Sequence, residues 1–99
     1  MSSRIARKDL QLCAQVQETL WYVLGSTVGD ETLADLQIVS VEPLPDASRL
    51  LITLSAPSDI ELAEATSRLQ GVAKAIRAEV AVAINRRKTP ELVFRVIHV

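Results

Sequence analysis

The chain has 99 residues, which is enough for one domain with a single hydrophobic core and leaves no room for a separate catalytic domain. Hydrophobic residues make up 48% of the sequence, but only Trp21, Tyr22 and Phe94 are aromatic, so the core must be aliphatic. With one cysteine, Cys13, and one histidine, His98, the chain can form neither an internal disulfide nor a Cys/His metal cluster. We therefore predict a single domain over residues 1–99 that holds no metal and no cofactor.

The N-terminal segment is charged and leads into no apolar stretch of the kind found in signal peptides. The apolar segment that follows is interrupted by Gln15, Gln17 and Glu18, well before it reaches the roughly 20 residues that a membrane span needs. We therefore predict a cytoplasmic protein that has no membrane partner.

Charge is distributed unevenly along the chain, although the net charge is only −1. The first eight residues carry three basic side chains and no acidic one. Residues 9–67 carry ten acidic side chains and one basic side chain, Arg49, whereas residues 68–99 carry seven basic side chains and two acidic ones, Glu79 and Glu91. This division predicts a basic surface in the C-terminal third that faces a polyanion. Attraction between the two oppositely charged parts within the fold explains the same pattern equally well.

The spacing of apolar residues predicts a first helix over residues 8–24. One buried stripe with three-and-four spacing is formed by Leu12, Cys13, Val16, Leu20, Val23 and Leu24. Gly25 is placed to cap this helix in a left-handed conformation. Trp21 and Tyr22 adjoin the stripe and are expected to pack rather than to stack on bases.

Two strands follow a polar turn, "STVGDETL". Residues 36–42 alternate and are rich in β-branched side chains until Pro43 ends the pattern, and Arg49 to Ser55 alternate again. The segment "PDAS" between them has the composition of a turn. The sequence therefore predicts a β-hairpin.

A second helical region begins, by its pattern, at a capping box formed by Ser58 and Glu61. Its apolar stripe continues to Ile84, with a bend predicted at Gly71. The segment "VAVAI", residues 80–84, also alternates like a strand, but its alanines and its continuity with the stripe favour helix. Thr89-Pro90 ends the helix, and "ELVFRVIHV" predicts a third strand.

The predicted order is helix, strand, strand, helix, bend, helix, strand. Three strands with helices on one face make a two-layer α+β domain, an arrangement that matches type II KH-like domains, which commonly bind RNA. The GXXG clamp of KH modules is absent, because the segment between the helices reads "LQGVAKA". The fold alone is therefore weak evidence for RNA binding.

Four segments in order resemble one family, ribosome-binding factor A. "RRKTPELVF" is similar to the family's Arg-x-x-Pro-Glu-Leu-x-Phe segment. "DETL", "VSVEPLPD" and "LQGVAKAIR" resemble, in turn, its Asp-Pro-Arg-Leu turn, the strand that leads to its Pro-Asp, and its helix that ends in Ile-Arg. The spacing is kept over residues 12–97. The family's Ala-x-Gly kink corresponds here to Val72-Ala73-Lys74, and the glycine is displaced to Gly71.

The resemblance implies a cytoplasmic, non-enzymatic protein with a KH-like fold. It further implies a factor that binds the small (30S) ribosomal subunit and assists its maturation and the processing of its rRNA. The partners would be the small subunit and its rRNA, with no small-molecule substrate, and we expect a monomer.

Binding to rRNA requires neutralisation of phosphates, which is a task for exposed basic side chains. The predicted RNA-binding residues are Lys74, Arg77, Arg86, Arg87, Lys88 and Arg95. Lys74 and Arg77 share one face of a helix because they lie three positions apart. A purely structural explanation stays open, since basic residues at a helix C-terminus interact favourably with the helix dipole, and an arginine on an edge strand deters edge pairing.

The sequence gives little support for a catalytic site or a phosphate-binding loop. The acidic group Asp59, Glu61 and Glu64 lies at a helix N-terminus, which favours negative charge without a catalytic role. "GSTVG" lacks the Gly-Lys-Ser/Thr of a phosphate-binding loop, and His98 has no visible catalytic partner. The alternative to an RNA-binding factor is a KH-like protein-interaction module that has lost RNA binding, which the acidic middle and the missing clamp favour.

Overall fold

A computed structural model describes residues 7–27, 31–44, 46, 48–84 and 88–98. The elements, in chain order, are α1 (Arg7–Tyr22), a π-helical turn (Val23–Thr27), α2 (Glu31–Ala34), β1 (Gln37–Pro43), β2 (Arg49–Ala56), α3 (Leu62–Ile84) and β3 (Glu91–His98). The predicted α+β class is confirmed, and each strand begins and ends within one residue of its predicted position.

The three strands form one mixed sheet in the order β1-β2-β3. β1 and β2 pair in antiparallel fashion, as the hairpin prediction requires, whereas β3 pairs with β2 in parallel. A parallel neighbour needs a long crossover connection, and α3 provides it. A bulge between Ile38 and Ser40 interrupts the β1–β2 register, and Val39 within it is exposed.

The hydrophobic core lies between one face of the sheet and the helices. Every second residue of β2 points into it, and Leu50, Ile52, Leu54 and Ala56 are all 0% exposed. Leucine, valine, isoleucine and alanine dominate the buried residues, and Cys13 is buried among them, as the sequence predicts. The expectation that Trp21 and Tyr22 pack is wrong, because both side chains are largely exposed.

α3 is a single continuous helix of 23 residues, and it runs without interruption through Gly71, where the sequence predicts a bend. The buried stripe continues on both sides of the glycine through Ala65, Leu69, Ile76 and Val80, all 0% exposed. One glycine in a helix costs about 1 kcal/mol, whereas burying each large aliphatic side chain contributes about 1.5–3 kcal/mol. Packing of the stripe against the sheet therefore outweighs the local helix-breaking tendency.

Two predicted helix caps are also wrong. α3 begins at Leu62, where the amide of Ala65 donates to the Glu61 carbonyl at 3.0 Å, and Ser58 lies in the preceding turn. Gly25 lies inside the π-helical turn and does not have a left-handed φ. The Gly25 signal loses to burial, because the π-helical turn carries the buried stripe onward through Val23 and Leu24, each 4% exposed.

The segment predicted as a plain polar turn contains the short helix α2. Leu33 explains its position, because this side chain is 0% exposed and anchors the segment in the core. The end of α2 is fixed by backbone hydrogen bonds from Asp35 to Thr32 (3.3 Å) and from Leu36 to Leu33 (3.2 Å). A single buried leucine among polar residues was too weak a pattern to indicate a helix.

The turn between β1 and β2 is held by the carboxylate of Asp46. Its Oδ1 accepts hydrogen bonds from the backbone amide of Ser48 at 2.8 Å and from the Ser48 hydroxyl at 2.6 Å. These bonds, the hydroxyl bond first, lower the pKa of the Asp46 carboxyl below its ordinary value. The turn predicted from "PDAS" is therefore an Asx-type turn stabilised by the ionised aspartate.

Replacing Gly71 by alanine is expected to raise the free energy of unfolding by about 0.5–1 kcal/mol, because alanine loses less conformational freedom when a helix forms. A β-carbon at position 71 would meet no atom within 4 Å. Urea unfolding followed by circular dichroism measures the change. Ala75→Gly, one turn further along the exposed side of α3, is the reverse control and should be destabilising. Destabilisation by Gly71→Ala would contradict the continuous helix.

Replacing Asp46 by alanine is expected to lower the melting temperature at neutral pH, because the turn loses both hydrogen bonds to Ser48. A carboxyl whose pKa is lowered by folding stabilises the protein above its unfolded pKa, about 3.9, and this contribution is lost as pH falls through the folded pKa. The melting temperatures of the two proteins should therefore converge below about pH 3.9. A difference that stays constant with pH would show that the carboxylate charge has no part in the turn.

Candidate nucleic-acid interface

Lys74 and Arg77 lie together on the exposed side of α3. Ile76 and Val80 face the core from the other side of the same turns, so the helical spacing directs both basic side chains outward. Both residues are exposed. The predicted shared face is therefore present in the structure.

Arg77 is also part of the framework that joins α3 to β3. Its Nη2 donates to the carbonyl of Thr89 at 3.0 Å, and its Nε lies 3.4 Å from the carbonyl of Pro90. The threonine and the proline lie outside both α3 and β3, so these carbonyls have no helical partner. A guanidinium has five N–H groups, and these two bonds leave others that can reach an anion.

A further predicted basic residue, Lys88, lies in the described part of the α3–β3 connection. Lys88 is exposed and directly precedes Thr89, to which Arg77 donates. Arg86 and Arg87, the other predicted members of this group, lie outside the described residues. We call Lys74, Arg77 and Lys88, with the sequence neighbours Arg86 and Arg87, the basic surface.

Arg95 lies on the other side of the sheet. Its neighbours in β3, Phe94 and Val96, pack towards the helices, so Arg95 points to the open face. There its Nη2 donates to the Thr53 hydroxyl at 3.2 Å, across the β2–β3 pairing. The structure therefore does not bring Arg95 together with the basic surface, and β3 is an edge strand, as predicted.

An ion pair at the start of β3 was not foreseen from the sequence. Arg49 Nε lies 2.9 Å from Glu91 Oε1, and the two residues are register partners in the parallel β2–β3 pairing. The Glu91 amide also donates to the Ser48 carbonyl at 3.0 Å. Both side chains of the ion pair are more than half exposed, so the pair fixes geometry more than it adds stability.

His98 links the end of β3 to the turn before α3. Its Nε2 lies 2.8 Å from the carbonyl oxygen of Ile60, so the residue has a structural contact that sequence reasoning missed. Within the described ranges, no group of three or more His, Cys, Asp or Glu side chains is arranged to hold a metal ion. Among the helices of this same part of the chain, none combines the length and the apolar character needed to cross a membrane.

No protein-family model matches the sequence, and no curated protein matches it either. Solved structures do match. The crystal structure of ribosome-binding factor A from Thermus thermophilus has a TM-score of 0.75 and 24% sequence identity, over 88% of this chain and 93% of that chain.

A second match is the homology model of the Thermus thermophilus ribosome-binding factor A that was fitted into a cryo-EM map of a 30S complex. It has a TM-score of 0.67 and 23% identity over 93% of each chain. The mixed three-stranded sheet with helices on one face agrees with the resemblance found in the sequence. The chain has the KH-like fold of ribosome-binding factor A.

Proposed function

We propose that this protein is a ribosome-binding factor that assists the maturation of the small (30S) ribosomal subunit and the processing of its rRNA. The observation that carries the proposal is the structural likeness to ribosome-binding factor A over most of both chains. The sequence resemblance through "RRKTPELVF" supports it independently, because that segment includes three of the predicted RNA-binding residues, Arg86, Arg87 and Lys88. The protein would act by binding, without catalysis, as a cytoplasmic monomer.

The basic surface would bind rRNA by neutralising phosphates. Lys74 and Lys88 are exposed ammonium groups that can follow a phosphate backbone of varied shape. Arg77 differs, because the carbonyls of Thr89 and Pro90 already orient its guanidinium, so less side-chain entropy is lost when it meets a phosphate. Arg86 and Arg87 complete the surface in the proposal.

Arg95 would make a separate contact. A strand of RNA that reaches both Arg95 and the basic surface must pass around β3, which is the edge of the sheet. The hydrogen bond to Thr53 holds the Arg95 side chain against the open face. Arg95 therefore ranks below the other five residues as an RNA ligand.

A protein-interaction module without RNA binding is the second candidate. It is favoured by the bonds that Arg77 and Arg95 make within the protein, which give both residues a role in the absence of any ligand. The two candidates differ in one measurable property, which is salt-sensitive binding to the small subunit.

Co-sedimentation with small ribosomal subunits tests the proposal. The logarithm of the binding constant is expected to fall linearly with the logarithm of salt concentration, with a slope of roughly 3 to 5 if that many phosphates are contacted. Replacing Arg86, Arg87 and Lys88 by alanine should weaken binding and reduce the slope by roughly 2 to 3. The matched control is Arg4/Arg7/Lys8→Ala, which removes the same charge from the other end of the chain.

An equal loss in both triple variants would show that binding follows net charge and not the basic surface. Absence of co-sedimentation at every salt concentration would reject the ribosome-binding function and leave the protein-interaction module.

Arg77 has two roles in the proposal, stabilising the fold and binding phosphate, whereas Lys74 has only the second role. Arg77→Ala should lower the free energy of unfolding by about 1 kcal/mol, because the bonds to the Thr89 and Pro90 carbonyls are lost. Lys74→Ala should change it by no more than about 0.5 kcal/mol, and both variants should weaken subunit binding. Arg77→Lys keeps the charge but not the two-point contact, so it should lower stability and retain much of the binding. Equal stability of all three variants in urea unfolding would contradict the framework role of Arg77.

A further inference from the structure

Trp21 is the chain's only tryptophan and is 67% exposed near the end of α1. Such exposure is unusual, because tryptophan is on average highly buried and its ring contributes a large apolar area when it is covered. Exposed tryptophan side chains are enriched where proteins bind partners. Trp21 is therefore the exposed side chain whose position most needs a functional explanation.

A hollow of about 350 Å³ lies on one side of the Trp21 ring, between the end of α1 and the junction of α2 with β1. Leu24 and Leu36 line it and belong to the core, while Ile38 lines it from β1. Asp35 is the charged residue of its lining. The hollow is therefore a depression of mixed polar and apolar character, whose lining includes one carboxylate and the tryptophan ring.

A second, shallower hollow of about 440 Å³ also borders Trp21, along the outer face of α1. Ala14, Gln17 and Glu18 line it, at seven, four and three positions before Trp21, which places them on the same helical face. Trp21 lines both hollows. We call Trp21, Glu18, Asp35, Leu36 and Ile38 the Trp21 surface.

The charge of the Trp21 surface is negative. Among the described residues that line the two hollows, Glu18 and Asp35 are carboxylates and none is a lysine or an arginine. The surface also lies within the stretch 9–67, which holds ten acidic residues and one basic residue. Phosphate groups would be repelled here, so the Trp21 ring is poorly placed to stack on the bases of an RNA.

We propose that the Trp21 surface binds a basic polypeptide segment in which an apolar side chain lies next to lysine or arginine residues. The apolar side chain would pack in the first hollow against Ile38 and the Trp21 ring, and a cation would lie over that ring near the carboxylates of Glu18 and Asp35. Opposite charge on the two partners increases the rate of encounter and rejects acidic competitors. This inference does not depend on the proposed function in rRNA maturation.

The shape of the surface favours a short segment over a folded domain. The two hollows border the same tryptophan ring and offer one apolar contact site, one aromatic face and two negative charges. A few consecutive residues of a peptide can contact all of these features. The chain's own basic third is a competing source of such a segment, because residues 68–99 carry seven basic side chains. The test must therefore distinguish binding of a separate basic segment from self-association of the chain.

Trp21 supplies the readout, because tryptophan fluorescence in this chain comes from this residue alone. The probe is a short synthetic peptide of Lys-Leu-Arg repeats, titrated into the full-length protein. We expect a saturable shift of the emission to shorter wavelength as the ring loses contact with water. The same peptide with glutamate at each basic position, and the peptide with alanine at each leucine, should produce no saturable shift.

Glu18→Gln/Asp35→Asn should weaken binding on the order of tenfold, as expected for the loss of two exposed ion pairs. The matched control is Asp59→Asn/Glu61→Gln, which removes two exposed carboxylates from the turn before α3 and should leave the affinity unchanged. Trp21→Ala should weaken binding about tenfold or more, as for an aromatic anchor, measured by calorimetry. Circular dichroism should show that each variant is folded, because all five side chains are exposed.

Several results would overturn the proposal. One is the absence of saturation with the basic peptide, and another is an equal loss of affinity in the two double variants. Saturable binding of an RNA oligonucleotide that Trp21→Ala abolishes would assign the surface to nucleic acid. Concentration-dependent dimerisation in sedimentation velocity that Glu18→Gln/Asp35→Asn removes would show that the occupant is a second copy of the chain. A failure of the protein to bind the small subunit would not contradict the proposal for the Trp21 surface.

Discussion

The burial of β2 between two strands and under the helices is the constraint on which the rest of the structure depends. Alternate residues of β2 are fully buried against the helices, and its backbone pairs with β1 on one side and β3 on the other. Because β3 runs parallel to β2, the chain must return along the length of the sheet before β3 can begin, and α3 makes that return. The length and continuity of α3 are thus consequences of strand pairing.

The position of the basic side chains follows from this crossover. The chain must change direction between the end of α3 and the start of β3. Arg77 stabilises this connection by donating to the carbonyls of Thr89 and Pro90. Lys88 lies beside that contact and is exposed, since the connection runs over the surface. Among the described residues proposed to bind rRNA, Arg77 is therefore held in a defined geometry by the connection into the strand that completes the sheet.

Features that depend on hydrophobic periodicity were predictable from the sequence, and features that depend on competition between local and tertiary forces were not. Alternation located all three strands, and the spacing of aliphatic residues located α1 and α3. Gly25 carries a local capping signal that the buried Val23 and Leu24 override, and Ser58 carries one that lies in a turn before α3. The Arg49–Glu91 pair depends on a parallel register over 42 positions of sequence, which no local pattern encodes. For the same reason, the separation of Arg95 from Lys74 and Arg77 appears only once the faces of the sheet are assigned.

The Trp21 surface and the described basic residues near the start of β3 have opposite charge, and the sheet separates them because β1 and β3 occupy its opposite edges. The Trp21 surface adjoins β1, and the basic surface adjoins the start of β3. The pair between Arg49 and Glu91 joins the one basic residue of the acidic stretch to one of the two acidic residues of the basic third. The ion pair thereby neutralises the basic residue of the acidic stretch and one acidic residue of the basic third. In the proposed function, rRNA would be attracted to the basic surface and repelled from the Trp21 surface, which would orient its approach before any contact forms.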